Sequence, residues 1–165
     1  MLNYLFSTEE HLVITFIASV LIWLMVGGIV YLWVYQKKIL FRQVVSIFIA
    51  TLFAWILSEV IKSLVPVQRP FMINGQNPLT LTWPLDSSFP SAHASGAFAL
   101  ATSLRRSNRR LFLLYFIFAV IVSVGRVLSR VHYVVDVLVG AVLGISSVIL
   151  LERLGLEKLF KKMFA

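Results

Sequence analysis

Residues Leu12 to Tyr35 form a run of 24 with no charged side chain, and about 20 apolar residues suffice to cross a bilayer as a helix. The chain is 59% hydrophobic with a mean hydropathy of +0.91, against roughly 45–50% apolar residues in a soluble domain. These features make it an integral membrane protein. Its net charge of +8 does not point to nucleic acid, because much of the excess sits in short loops beside apolar runs, as cytoplasmic loops require. Cysteine is absent, which excludes disulfides, thiol chemistry and cysteine-held zinc. Residues Met1 to His11 carry Glu9 and Glu10 but no Lys or Arg, so they lack a signal peptide's basic leader.

Gln36-Lys37-Lys38 and Arg42 close the first span with a basic hairpin. A second span is expected from about Gln43 to Leu64, with Glu59 and Lys62 in its last turns. At i, i+3 these two can form an interfacial ion pair with Lys62 reaching out to water. Residues 66–90 hold all five prolines, together with Gly75, Asp86 and the aromatics Phe71, Trp83 and Phe89. No long helix fits such spacing. The aromatics point to a segment at the lipid–water interface. Pro90-Ser91 then reads as a helix start, and Ala94, Ser95, Gly96, Ala97 and Ala101 allow close helix neighbours. That helix, ending near Leu104, is short for a lipid-exposed span and is expected inside the bundle. After the basic stretch 105–110 come a fourth span, Leu111 to about Arg126, and a fifth, about His132 to Leu151. Gly140 and Gly144 give the fifth a GxxxG face, which ordinary helix packing explains. The tail, Glu152 to Ala165, reads as an amphipathic segment on the membrane surface. Neither an internal repeat nor a low-complexity region is present.

The expected architecture is all-α: a polytopic transmembrane helical bundle of about five membrane helices with a Pro-rich outer loop. Residues 1–165 form one domain, with a catalytic core at about 43–151. The basic stretches 36–42, 105–110 and 152–162 all follow odd-numbered spans. Positive-inside bias places them in the cytoplasm, the C-terminus with them, and the N-terminus outside. Lys62, Arg69, His93, Arg126 and His132 then collect at the outer face although they come from separate segments.

Three cations around a small volume, Lys62, Arg69 and Arg126, imply an anionic ligand, and phosphate suits the forked guanidinium. The N-terminus of the helix near Ser91 adds backbone N–H groups. No carboxylate or histidine cluster points to Mg²⁺ or Zn²⁺, so no metal and no cofactor are expected. His132 and Asp136, four apart, share a helix face. The carboxylate would fix the imidazole's tautomer and make His132 the nucleophile. His93 has no such partner and fits the acid that protonates the leaving group, then the base for water. His11, ahead of the first span, reads as a surface residue.

Lys62-x₆-Arg69-Pro70, Pro90-Ser91-Ala92-His93 and Gly125-Arg126-x₅-His132-x₃-Asp136 resemble, in order and spacing, the three signature motifs of the type 2 phosphatidic acid phosphatase superfamily. Members are integral-membrane lipid phosphatases whose core is shared with vanadium haloperoxidases. The resemblance implies phosphate binding by Lys62, Arg69, Ser91, Arg126 and the N–H of Ala92. It gives the acid role to His93, the nucleophile role to His132 and the orienting role to Asp136. The family usually has glycine where this chain has Ala92, which keeps the backbone donor, and serine where it has Gly125, which removes a hydroxyl from the phosphate. Many members have six membrane helices, so the family's first helix is missing from the five expected here.

The resemblance further implies a metal-independent phosphatase of the bacterial cytoplasmic membrane, its site facing outward. The lipid bilayer and a lipid phosphate or diphosphate are its expected partners. The reading favoured is undecaprenyl diphosphate hydrolysis, with a phosphatidylglycerophosphate or phosphatidic acid phosphatase as the alternative. A non-catalytic lipid binder or scramblase is the reading from another class. The motifs leave the lipid tail and the oligomeric state open.

Overall fold

A computed structural model describes residues 8–155. Among these residues seven helices follow one another: α1 (Thr8–Ser19), α2 (Leu21–Val34), α3 (Phe41–Leu64), α4 (Pro70–Asn74), α5 (Ala92–Ser103), α6 (Arg109–Leu128) and α7 (Val134–Arg153). No strand is present among the described residues. Of the amphipathic tail expected from Glu152 to Ala165, Glu152 and Arg153 end α7, and the part beyond residue 155 lies outside the described residues.

Three helix starts, those of α4, α5 and α6, follow residues the sequence marks as helix openers. Asn108 accepts from the N–H groups of Arg110 and Leu111 at the start of α6, satisfying donors that a first turn leaves open. Pro70 opens α4 directly after Arg69, where a missing N–H costs nothing. Ser91 caps α5.

Among the described residues, length and composition do not confirm the expected count of about five membrane helices. Of the helices among the described residues, α3, α6 and α7 are long and apolar enough to cross a membrane, and a bent pair, α1 with α2, makes a fourth if counted as one span. The run read as one straight helix from Leu12 to Tyr35 turns by 50° at a break between Ser19 and Leu21. α5 has 12 residues, or about 18 Å of helix, against a hydrocarbon layer of about 30 Å. It lies inside the bundle as expected, with every residue from Ala94 to Thr102 buried.

α5 is therefore the hub, packed by α3, α6 and α7. The small residues of α7 bring the backbones together. A Cβ on Gly140 would sit 3.1 Å from the Ala94 Cβ and 3.3 Å from the Ser95 nitrogen, and one on Gly144 would sit 2.9 Å from the Ala99 nitrogen. Across the other side, Ser95 Oγ donates to the Ala54 carbonyl of α3 at 3.0 Å. Met25, Ile29, Val44, Ile47, Phe98, Leu100 and Val122 form the main apolar core around it.

The loops gather at two ends. At one end Gln43 Nε2 donates to Ser107 Oγ, and Arg105 and Arg106 both pair with Glu152, so the basic stretches are neighbours. At the other end the Pro-rich stretch is tied down. Phe71 N–H donates to the Arg130 carbonyl and Leu79 N–H to that of Ser129, while Ser88 N–H reaches Val67. Phe71 is buried and meets Trp83 edge-on at 5.6 Å. Phe71 thus packs within the loop rather than serving as an interfacial residue. His11, expected on the surface, is half-buried on α1.

Candidate active site

One cavity of about 390 Å³ opens at the end that carries the Pro-rich loop. Lys62, Arg69, Ala92, His93, Arg126 and His132 all line it. Segments far apart in sequence, the end of α3, the Arg69–Pro70 corner, the start of α5 and the α6–α7 turn, thus supply one wall each. Ser91 and Asp136 are fully buried behind it. The two are linked, because Ser91 N–H donates to the Asp136 carbonyl at 3.0 Å.

His132 sits in the turn ahead of α7, outside that helix. Its Nδ1 lies 3.3 Å from Asp136 Oδ2, and the same oxygen accepts from the Tyr133 N–H at 2.9 Å. A carboxylate so placed holds the proton on Nδ1 and turns the Nε2 lone pair outward. Nε2 stands 3.4 Å from Arg69 Nη1. Burial disfavours the imidazolium most. The Asp136 bond opposes it, Arg126 and Arg69 reinforce it, and the imidazole pKa falls to about 4. His132 is therefore a neutral, oriented base at neutral pH.

Arg69 is buried and well satisfied. Nη1 donates to the Val131 carbonyl, Nε to the Asp86 carbonyl, and Nη2 to Asp86 Oδ1 and the Ser87 carbonyl. The contact it can yield to an incoming anion is the one facing His132 Nε2. Lys62 is 9% exposed and bridges Glu59 at 3.0 Å and Asp86 at 2.8 Å. The Glu59 ion pair foreseen for it exists, yet the ammonium turns into the cavity instead of reaching away from it. Arg126 donates through Nη1 to the Ala18 carbonyl at 3.1 Å, while its buried Nε has no partner. An unpaired buried donor is costly, and a ligand oxygen would satisfy it. His93 is half-buried at the second position of α5.

Asp86 is a site residue that motif reasoning missed. Its carboxylate joins Lys62 and Arg69, each at 2.8 Å. Burial opposes its ionisation, but the two cations prevail and hold its pKa at about 2. Ser87 Oγ bridges the Val65 carbonyl and the Val67 N–H, which fixes this stretch against the end of α3. Its one sequence signal was being the sole acid among residues 66–90, on the face where the cations collect. Ser19, Val20, Trp23 and Trp55 also line the cavity, and apolar helix residues gave no hint of that.

Among the described residues no three His, Cys, Asp or Glu side chains converge as metal ligands do. The arrangement could hold an anion between fixed cations, with the neutral imidazole of His132 and the second imidazole of His93 lining the same cavity.

The family model of the PAP2 superfamily matches residues 43–158. This chain belongs to the PAP2 superfamily. Among curated PAP2-related proteins, it is 34% identical over 127 residues to an undecaprenyl-diphosphatase of Sulfolobus acidocaldarius, covering 74% of this chain and 58% of that one. It is 28% identical over 135 residues to the bacitracin transport permease protein BcrC of Bacillus licheniformis, covering 82% and 66%. The chain thus spans under two thirds of the length of both relatives. In structure it is similar to Aquifex aeolicus LpxE, with a TM-score of 0.73, 24% identity, and coverage of 92% and 90%. A PAP2-type phosphatidylglycerolphosphate phosphatase from Bacillus subtilis follows, with a TM-score of 0.62, 21% identity, and coverage of 89% and 75%. At such identities these two structures attest the PAP2 fold alone.

Proposed function

We propose that this chain is a membrane lipid phosphatase that works through a phosphohistidine. The observation that carries the reading is the placement of His132 Nε2. It faces Arg69 across 3.4 Å, in a cavity shared with His93, Lys62 and Arg126, while Asp136 holds the opposite nitrogen. A substrate phosphate would lie between the three cations and the N–H of Ala92, with Ser91 at the helix start behind it. The Arg126 Nε would gain its missing acceptor. Fixed cations stabilise the charge spread over the phosphoryl oxygens in the transition state.

His132 Nε2 attacks phosphorus and forms a P–N bond as the P–O bond to the leaving group breaks. His93 gives that departing oxygen a proton. Asp136 stabilises the imidazolium cation at His132. Water, losing its proton to His93, then attacks phosphorus, the P–N bond breaks, and inorganic phosphate leaves with His132 neutral again.

The lipid character of the substrate is supported by Trp23 of α2 and Trp55 of α3. Both line the cavity and are exposed on apolar helices, so an apolar tail can remain in the bilayer while the headgroup enters. The favoured substrate is undecaprenyl diphosphate, converted to undecaprenyl phosphate plus phosphate, a choice supported by the 34% identity to an undecaprenyl-diphosphatase. The basic stretches at the opposite end of the bundle support a site on the outer face of a bacterial cytoplasmic membrane, with the C-terminus inside.

Phosphate release from a polyprenyl diphosphate, phosphatidic acid and phosphatidylglycerophosphate, each assayed with EDTA present, tests this reading. The expected result is EDTA-resistant turnover, fastest on the diphosphate, that His132→Ala abolishes. Preference for a monoester would move the substrate to phosphatidylglycerophosphate or phosphatidic acid. Lipid movement that survives His132→Ala without phosphate release would make the chain a scramblase or lipid binder.

A further inference from the structure

The residue before Arg126 is the point where this chain departs from its family's usual third motif, with Gly125 in place of serine. The structure gives that departure a use. A Cβ built on Gly125 would meet Ile17 Cγ2 at 2.5 Å, the Ala18 nitrogen at 3.2 Å and the Ile17 carbonyl carbon at 3.3 Å. The severe contact is with the branched Ile17 side chain, and the two backbone atoms behind it are already tight, so a Cβ here pushes α1 outward. α1 thus lies flush against α6 at this one position. The next residue along α6 is Arg126, and its Nη1 donates to the carbonyl of Ala18, one residue before the break in the first span. At the break itself, Ser19 Oγ accepts from Leu81 N–H at 3.2 Å, and Ser19 and Val20 join the cavity wall.

We infer that the broken first span is a working part of the phosphate site: the Ala18 carbonyl sets the Arg126 guanidinium, and Gly125 is glycine so that it can. Where most of the family offers a serine side chain, this chain offers the backbone of α1. Ala18 is therefore a positioning residue acting through its main chain, and Gly125 is the residue that admits it. Both Ala18 and the break precede residue 43, where the match to the PAP2 family model begins. With Nη1 anchored and Nε unpartnered, the fork is turned so that one face is satisfied by protein and another is left for a ligand oxygen. The inference rests on the reading of Arg126 as a phosphate-binding residue.

One consequence runs against expectation from the motif. Gly125→Ser restores the family's usual residue and supplies a hydroxyl, yet it should weaken the enzyme, because the side chain displaces α1. The test compares wild type, Arg126→Ala, Gly125→Ser, Ile17→Ala and the Gly125→Ser/Ile17→Ala pair as purified full-length proteins. It measures kcat and KM on the polyprenyl diphosphate and competitive inhibition by inorganic phosphate. Gly125→Ser should raise KM and the phosphate inhibition constant together by roughly ten- to a hundredfold, the scale of a displacement near 1 Å. Ile17→Ala alone should leave both near wild type, and the pair should recover a measurable part of the loss by removing the nearest atom. Should Gly125→Ser fail to purify as a folded protein, Gly125→Ala with and without Ile17→Ala gives the same comparison. A Gly125→Ser enzyme as good as wild type, with Arg126→Ala still impaired, would overturn the inference and leave the site intact. An unimpaired Arg126→Ala would instead strike the reading of the site itself.

Discussion

Asp86→Asn removes one negative charge and keeps the side chain's shape, so it isolates the carboxylate's grip on Lys62 and Arg69. The carboxyl pKa of about 2, against an ordinary 3.8, corresponds to roughly 2.5 kcal/mol of favourable interaction with the ionised form. Asp86 is 48% exposed, and water and salt screen such a pair, which leaves about 1 kcal/mol. Because folding depresses this pKa, the stabilisation is complete above the unfolded value near 4. It disappears as the pH falls through about 2. Thermal unfolding in detergent should therefore place Asp86→Asn about 3 °C below wild type at pH 7, with the gap closing between about pH 4 and pH 2. In kinetics, cations held less firmly should raise KM about fivefold, the equivalent of 1 kcal/mol, with a smaller change in kcat. A variant with unchanged KM and the same unfolding temperature at pH 7 would refute the role of Asp86 as a brace. Tighter inhibition by inorganic phosphate in the variant would show instead that Asp86 competes with the substrate for Lys62.

Two further substitutions probe the neighbouring elements. Asp136→Asn leaves the geometry but not the charge that fixes the His132 tautomer. It should lower kcat on the order of 10³-fold with little change in KM, as read by single-turnover phosphate release. Gly144→Ala inserts a Cβ 2.9 Å from the Ala99 nitrogen and against the Ser95 carbonyl. It should destabilise the bundle by about 1–3 kcal/mol, visible as a lower unfolding temperature, and should lower kcat too because α5 carries His93.

The His132–Asp136 pair was legible from its four-residue spacing, although His132 lies in the turn before α7 rather than on that helix, and the shared end of the cations followed from where the basic stretches fall along the chain. Asp86 was not legible, since its partners lie 24 and 17 positions away and no periodicity connects a loop to them. The break at Val20 was hidden for a different reason. Phe16 to Leu24 contains no proline and no glycine, and hydropathy measures how much apolar chain there is without giving its direction. The same blindness showed one unbroken first span where the structure has a bent pair, while the short helix near Ser91 was expected inside the bundle and lies there. Gly125 was read as a lost hydroxyl because motif comparison records what a side chain could touch. It does not record which backbone might occupy the space.

Around the cavity the three cations Lys62, Arg69 and Arg126 are matched in number by Glu59, Asp86 and Asp136, beside a neutral His132. Uncompensated charge at the edge of a membrane is expensive, and this pocket carries almost none before a substrate arrives. Free phosphate in the surroundings therefore meets a nearly neutral hollow rather than a strong attractor. A headgroup tethered to a lipid tail arrives with its translational freedom already curtailed, and it can trade places with carboxylates that untethered anions displace far less readily. Under the proposed lipid phosphatase function, selection for lipid-borne phosphate over the dissolved ion would begin in the acids of the pocket as much as in its bases.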